Sequence, residues 1–179
     1  QGKGITLYSS FKQNLKGDKI YTVFEDSEGD EWILTNKGIS IIGKKQVDSD
    51  FPFQYIKEAD GIIYLVSQSD KLASYNFKTR QFKFIEIPYH VSMINEVKKF
   101  DSNTLLLATD NGLIIYKIKE KEFQLIDIRT STQPSNVVQS VYQDHYKELW
   151  IFPQTTGVIR YNPSTCLLYT SPSPRDRSV

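Results

Sequence analysis

Residues 25–42 read EDSEGDEWILTNKGISII, an acidic turn followed by two apolar runs. In the first half, Asp26, Glu28 and Asp30 alternate around Gly29, as oxygen ligands do in a calcium-binding loop. The second half is rich in strand-forming residues and is interrupted by Asn-Lys-Gly, which is typical of two strands joined by a tight turn. This stretch therefore has two interpretations, a metal site or a turn between strands, and the rest of the chain decides between them.

The composition is that of a folded domain with balanced charge. The 179 residues are 39% apolar and 24% charged, enough for one domain with a core. Because 22 basic and 21 acidic side chains are interspersed, we expect no nucleic-acid partner. No apolar run approaches the roughly 20 residues that span a bilayer, so we expect no membrane contact from this segment. The single cysteine, Cys166, excludes an internal disulfide and a multi-cysteine metal site.

Short β-type runs dominate the chain and predict an all-β fold. They are rich in Ile, Val, Leu, Thr, Tyr and Phe, and Gly, Asn, Asp, Ser or Pro separate them. Several runs, such as IIYLV and LLLA, are continuously apolar, which indicates sheets covered on both faces. The chain begins Gln-Gly-Lys rather than with a secretory segment, so we expect it to be part of a longer protein.

One five-residue pattern recurs along the chain. It is found as GITLY, GISII, KLASY, GLIIY and GVIRY, beginning at Gly4, Gly38, Lys71, Gly112 and Gly157, with spacings of 34, 33, 41 and 45 residues. A second apolar run precedes four of these copies and carries Trp32, Tyr64, Leu106 and Trp150. An acidic turn precedes that run, marked by Asp26, Asp60, Asp101 and Asp144. The repeating unit is therefore about four antiparallel strands in about 40 residues.

Four-stranded units at this period predict β-propeller blades, because each sheet must bury both apolar faces against its neighbours. We expect the propeller segment to cover residues 1–165, with trailing strands of one blade at 4–15. The predicted blades are residues 19–50, 51–88, 91–128 and 136–165. The glycine at the head of the third strand suits a turn with positive φ, and Lys71 predicts a different turn geometry at its position.

The repeats resemble the two-component regulator propeller family. The consensus of that family has an apolar strand, Asp, a short turn with Gly, an apolar-Trp-Ile strand, Thr, a turn, Gly-Leu and a closing aromatic residue. Residues 20–42 match it best, and the last repeat keeps most of the same features. The matching residues in the first copy are Asp26, Gly29, Trp32, Ile33, Thr35 and Gly38. Those in the last copy are Asp144, Trp150, Ile151, Gly157 and Tyr161.

This resemblance implies a function in signal transduction. Propellers of that family are extracytoplasmic domains of bacterial hybrid two-component sensors, often followed by an immunoglobulin-like domain, a membrane helix and a histidine kinase. They are thought to sense ligands, frequently oligosaccharides. The resemblance therefore implies a periplasmic sensor fragment with an oligosaccharide ligand and no enzyme activity of its own, in a full-length protein that can form a homodimer. The alternatives are a propeller scaffold for protein interaction and a carbohydrate-active propeller enzyme.

Two expectations concern the extent of the fold. We expect an incomplete arc of a larger ring, because family rings are usually larger; a closed four-bladed ring, completed by the N-terminal strand pair, is the alternative. The last blade is expected to stop after its third strand. Residues 166–179, which contain two Ser-Pro pairs, are predicted to form a disordered and non-native tail, because proline cannot donate to a strand ladder.

The sequence predicts no catalytic residue, no metal site and no cofactor. Counting from Asp26, the EF-hand positions for Gly and Glu hold Glu31 and Lys37, and the sister turns keep only the Asp. His90 and His145 lie in different repeats without neighbouring ligands. Binding residues stay unassigned. The candidate rim consists of the turns between second and third strands: Asn36 and Lys37, Ser67 to Asp70, Asp110 and Asn111, and Gln154 to Thr156.

Overall fold

The computed structural model describes residues 15–43, 47, 49–155 and 157–170, and all regular structure in these ranges is β-strand. The chain divides into two compact units, Gln1–Ile85 and Glu86–Val179. The strands of the first unit are β1 Ile20–Glu25, β2 Glu31–Thr35, β3 Gly38–Ile42, β4 Tyr55–Ala59, β5 Ile62–Val66, β6 Leu72–Asn76 and β7 Gln81–Ile85. Those of the second are β8 Ile94–Asp101, β9 Thr104–Thr109, β10 Gly112–Lys117, β11 Glu122–Ile126, β12 Val138–Gln143, β13 Leu149–Pro153, β14 Ile159–Asn162 and β15 Leu167–Thr170.

The strands form four antiparallel sheets in which each strand pairs with the next along the chain. The first sheet holds β1–β3, the second β4–β7, the third β8–β11 and the fourth β12–β15. This is the arrangement of propeller blades, and it confirms the predicted all-β class and its repeating unit. The first sheet has three described strands; residues 44–46 and 48, on which the end of its predicted blade falls, lie outside the described residues.

In the first unit, the first and second sheets pack face to face. Trp32, Leu34 and Ile39 of the first sheet share one buried cluster with Ile63 of the second sheet and with Phe53, which precedes β4. The continuously apolar β5 is buried over most of its length, and Ile63 and Leu65 on one of its faces belong to this cluster. The first strands of the two sheets also meet, because Thr22 Oγ1 donates to the Gln54 carbonyl over 2.7 Å.

The second unit repeats this packing between the third and fourth sheets. Its buried cluster joins Leu106 and Leu113 to Val141, Leu149 and Ile151. Strand β9, with the sequence TLLLAT, is buried along its whole length. The first strands of these sheets, β8 and β12, lie side by side: Asn95 Nδ2 donates to the Val138 carbonyl over 2.8 Å, and the backbone of Val141 donates to Glu96 Oε2 over 2.9 Å. In each unit, neighbouring sheets are therefore joined through their first strands.

A threonine closes the turn between second and third strands in two sheets. Thr35 Oγ1 donates to the Gly38 carbonyl over 2.9 Å, and Thr109 Oγ1 donates to the Gly112 carbonyl over 2.7 Å. Gly38 and Gly112 have φ values of 125° and 95°, which confirms the predicted need for glycine. In the second sheet Ser67 Oγ instead accepts the Lys71 backbone N–H, and Lys71 has no positive φ, so its turn does differ as predicted.

The chain end differs from the prediction. The last blade was expected to stop at residue 165, yet β15, Leu167–Thr170, pairs with β14 and completes a four-stranded sheet. The ordered turn before it explains the difference: Asn162 Oδ1 accepts the backbone N–H groups of Ser164 and Thr165, and Cys166 adopts a φ of 57°. Both Ser-Pro pairs begin only after this strand, at residues 171–179, which lie outside the described residues, as do residues 4–14 of the predicted N-terminal strand pair.

Candidate functional site

The acidic turn after β1 is built around a single carboxylate. Asp26 is buried; its Oδ1 accepts the backbone N–H groups of Glu28 (2.9 Å) and Asp30 (3.1 Å), and its Oδ2 accepts the indole N–H of Trp32 (2.7 Å). Three N–H donors therefore occupy the oxygens that a cation would need. The turn between strands is the correct interpretation of this stretch, and its carboxylate holds the tryptophan in place.

The turn after β12 repeats this arrangement. Asp144 Oδ1 accepts the backbone N–H groups of Tyr146 (2.9 Å) and Glu148 (3.0 Å), and its Oδ2 accepts the Trp150 indole N–H (2.9 Å). The indole hydrogen bond, supported by the two backbone donors and by the charge of His145, holds the pKa of Asp144 below its usual value. The sequence showed the Asp and Trp as separate repeating positions, but their pairing requires the folded turn.

The two middle repeats also have an aspartate at this turn, but it does not bind a tryptophan. In the second sheet, Asp60 and Gly61 form a two-residue hairpin turn with φ values of 52° and 68°. In the third sheet, Asp101 Oδ1 accepts the Asn103 backbone N–H over 2.7 Å. Both turns are shorter, and both repeats lack tryptophan. Across the described part of the chain, no group of three or more His, Cys, Asp and Glu side chains is arranged to hold a metal ion.

In the second unit, asparagine side chains link the turns of the candidate rim through hydrogen bonds. Asn111 Nδ2 donates to the His90 carbonyl, and Asn111 Oδ1 accepts a bond from Asn136 Nδ2. Asn136 Oδ1 in turn accepts the Ile128 backbone N–H over 2.9 Å. Asp110 accepts the Ser92 backbone N–H with both carboxylate oxygens. These polar groups are bonded within the protein, so their role in forming the turns accounts for them.

The remaining rim residues behave similarly. In the first unit, Asn36 Oδ1 accepts the Lys19 backbone N–H, and Lys71 Nζ pairs with Asp70 over 3.0 Å. In the second unit, the Thr155 hydroxyl donates to Gln133 Oε1, while the Gln154 side chain is exposed. Thr156 lies outside the described residues. The rim is therefore a set of well-bonded turns in each unit and offers no concentrated binding site among the residues described.

A cleft that sequence reasoning missed lies between the third and fourth sheets, at the edge opposite the rim. It has a volume of about 320 Å³, and buried Leu106, Ile115 and Leu149 line it together with half-buried Phe100. The polar residues at the cleft are Asp101, Thr104, Lys117, Gln124, Lys147 and Ser164. Its size lies at the lower end of the range of roughly 300 to 1,000 Å³ that is usual for small-molecule sites.

The histidines and the cysteine are not among the residues that line this cleft. His90 is exposed before β8, and His145 is exposed in the turn before β13, with its ring centroid 3.7 Å from that of Tyr146. Cys166 is exposed between β14 and β15. Burial raises the pKa of the neighbouring Tyr161 to about 12. None of the described residues forms a helix long and apolar enough to cross a membrane.

Comparison with known proteins confirms the resemblance indicated by the sequence. No protein-family model matches the chain. Histidine kinase P4 of Formosa agariphila is 22% identical over 153 residues, which are 85% of this chain and 9% of that protein. The extracellular domain of the hybrid two component system BT4673 of B. thetaiotaomicron superposes with a TM-score of 0.66 at 21% identity, covering 87% of this chain and 22% of that structure.

The same fold also occurs in an enzyme. Virginiamycin B lyase of Staphylococcus aureus superposes with a TM-score of 0.65 at 16% identity, covering 88% of this chain and 57% of the lyase. At these identities the structures establish a propeller fold. The chain spans only a small part of the kinase and of the sensor domain.

Proposed function

We propose that this chain is a segment of the extracytoplasmic, ligand-sensing propeller of a hybrid two-component sensor. The observation that carries the proposal is the superposition of most of the chain on the extracellular domain of such a system. The similarity to a histidine kinase over 85% of the chain supports the same function independently. The Asp-Trp turns built by Asp26 and Asp144 add support, because they occupy the positions at which the repeats resemble the two-component regulator propeller consensus.

The proposal includes a larger ring of blades. In the first sheet, Trp32 and Leu34 are fully buried against the second sheet. The matching positions of the fourth sheet are Trp150 and Phe152, and they face away from the third sheet because alternate residues of β13, such as Ile151, enter the core. Phe152 is 40% exposed. A further blade packed on this face would bury it as the second sheet buries Trp32.

We further propose that the ligand is an oligosaccharide and that the segment performs no catalysis. Aromatic and hydrogen-bonding side chains at the edges of the sheets suit a sugar, whose rings have apolar faces and polar edges. The lyase shares the fold, so catalysis is the second candidate. Product analysis of oligosaccharides incubated with the full-length protein separates the two: a sensor returns them intact, and an enzyme shortens or modifies them.

The location and architecture are tested by the flanking coding sequence and by cell fractionation. A sensor requires an export signal before this segment and a membrane helix followed by a kinase after it. The tagged full-length protein is then expected in the membrane fraction, with this segment accessible to protease added outside the cytoplasmic membrane. A cytoplasmic protein without a kinase would overturn the proposal.

A further inference from the structure

The cleft between the third and fourth sheets lies where two of the aromatic rings that pack between the first and second sheets, Trp32 and Phe77, have smaller counterparts. Between the first and second sheets, the equivalent space is filled by Trp32, Tyr75 and Phe77, with ring centroids 5.7 Å apart for Trp32 and Tyr75 and 6.1 Å apart for Trp32 and Phe77. Phe82, paired with Tyr75, completes this filling. The first pair of sheets is thus closed by aromatic packing at this edge.

Leu106 of the third sheet occupies the position that Trp32 has in the first sheet. The shared turn between second and third strands fixes the correspondence, because its threonine is Thr35 in the first sheet and Thr109 in the third. Trp32 and Leu106 each lie at the same distance along the chain before that threonine. Both residues are buried, but leucine is much smaller than tryptophan, so it leaves part of the space between the sheets empty.

Pro163 of the fourth sheet occupies the position that Phe77 has in the second sheet. It follows Asn162 as Phe77 follows Asn76. The two asparagines play the same part in their turns, because the side-chain oxygen of each accepts the backbone N–H groups two and three residues later. The two turns are therefore equivalent, and Pro163 lies where the second sheet has Phe77.

Leu168 corresponds to Phe82 but is not among the residues that line the cleft. It pairs with Tyr161 as Phe82 pairs with Tyr75, and it is 40% exposed. Leu106 and Pro163, which are smaller than Trp32 and Phe77, leave the space unfilled, and an unfilled space between packed sheets costs stability. A ligand that binds in the cleft would explain why smaller side chains occupy these positions.

The charge at the cleft indicates which ligand it takes. Lys117 reaches it from the third sheet and Lys147 from the turn before β13. Within the described ranges, neither ammonium group forms an ion pair or a hydrogen bond. Lys117 interacts electrostatically with Glu120, whose carboxylate already accepts a bond from Asn103 Nδ2 over 2.8 Å. With Asp101 as the acidic lining residue, the lining carries one net positive charge.

We propose that this cleft binds an acidic sugar unit, one that carries a carboxylate or a sulfate. Lys117 and Lys147 pair with its anionic group, Gln124, Ser164 and Asp101 bond its hydroxyls, and Phe100 packs against an apolar ring face. The volume of about 320 Å³ fits one small ligand unit rather than a long chain. This inference rests on the proposed ligand-sensing function and names its ligand class.

Calorimetric titration of the full-length protein tests the inference. The probes are uronic acid disaccharides, sulfated disaccharides and their neutral counterparts, which separate the two sources of negative charge. The acidic probes are expected to bind at least about tenfold more tightly than the neutral ones. Lys117→Gln and Lys147→Gln are each expected to weaken acidic binding by about tenfold or more, since each removes a charge-assisted hydrogen bond to the anionic group.

A cleft-filling variant and a control complete the test. Leu106→Trp restores the ring that the first sheet has, so it is expected to abolish binding while leaving the thermal midpoint unchanged or raised. Ser164→Phe fills the cleft from its edge if the first variant folds poorly. Lys78→Gln, an exposed lysine in the corresponding turn of the second sheet, is expected to bind as the parent protein does.

Each contrary outcome has a defined meaning. Equal binding of neutral and acidic probes, or acidic binding that survives Leu106→Trp and both lysine variants, would overturn the cleft as an acidic-sugar site and leave the sensor proposal standing. Loss of binding in Lys78→Gln as large as in the cleft variants would do the same. If none of the probes binds and neutral oligosaccharides in general do not bind, the proposed ligand class fails as well.

Discussion

At the scale of single residues, the aspartate of the repeat is a structural anchor for tryptophan. Asp26 and Asp144 use both carboxylate oxygens in the same way, on two backbone N–H groups and one indole N–H. The sister residues Asp60 and Asp101 lie in shorter turns, without a tryptophan to hold. We therefore expect the same residue type in the same repeat position to contribute differently to stability.

Replacing Asp26 should destabilise the protein strongly. Asp26→Ala leaves the indole N–H of buried Trp32 without an acceptor and removes two backbone caps, so we expect a loss of about 2 to 4 kcal/mol in the free energy of unfolding. The matched control is Asp60→Asn, because asparagine tolerates the positive φ of that exposed turn. Urea denaturation measures the free energy of unfolding of both variants. A control that loses as much stability as Asp26→Ala would refute the anchoring role.

The ionisation of Asp144 should depend on its tryptophan. Because its folded-state pKa lies below the unfolded value, the stability it contributes is present above the unfolded pKa of about 3.9 and is lost as the pH falls through the folded pKa. Trp150→Phe removes the largest cause of the shift, so the pKa of Asp144 should rise toward its usual value. Carboxyl-carbon NMR titration follows this change, and an unchanged pKa in the variant would contradict it.

At the scale of strands and turns, local signals in the sequence were enough to predict the all-β class and its repeating sheet. Glycine at the head of the third strand, threonine before it and apolar runs between turns are signals of this kind. Strand β15 was missed because the Ser-Pro pairs after Thr170 masked a short strand that pairing with β14 stabilises. The cleft was missed because it depends on Leu106 and Pro163, which come together only across two packed sheets.

The turn glycines should differ sharply in their tolerance of a side chain. A Cβ at Gly38 would lie 2.1 Å from the Ser49 carbonyl oxygen, and φ is +125° there. Gly38→Ala should therefore cost at least about 2 kcal/mol of stability, combining steric overlap with backbone strain. Gly29 also has a positive φ, +84°, but a Cβ added there would meet open space among the described residues, so Gly29→Ala should cost only about 1 kcal/mol. Equal losses in thermal denaturation would show that the close contact is unimportant.

At the scale of the whole molecule, the outward face of the fourth sheet is the feature that points beyond this segment. Tyr142 and Phe152 are exposed there, whereas Leu34, which corresponds to Phe152, is fully buried in the first unit. Tyr142 pairs with Trp150 across the strands, and Trp150 and Phe152 lie two residues apart on β13, so the three aromatic residues are neighbours on this face. A patch of this kind marks a contact surface, and we propose a further blade as its occupant because the chain already repeats such blades.

If a further blade covers Phe152, replacing this residue should destabilise the full-length protein. Phe152→Ala should cost about 3 to 5 kcal/mol there, as expected for a buried phenylalanine, and should approach the loss caused by Leu34→Ala. Denaturant unfolding of both variants provides the comparison. A loss below about 1 kcal/mol for Phe152→Ala would show that this face stays exposed, and the larger ring would have to be abandoned.

Oligosaccharide binding by the full-length protein is the most direct test of the sensor assignment. The measurement is calorimetric titration with a panel of neutral and acidic oligosaccharides, followed by kinase autophosphorylation with any sugar that binds. We predict saturable binding of at least one oligosaccharide, without its cleavage, and a change in autophosphorylation at the same concentrations. Cleavage of the bound sugar, or absence of binding across the panel, would contradict the assignment.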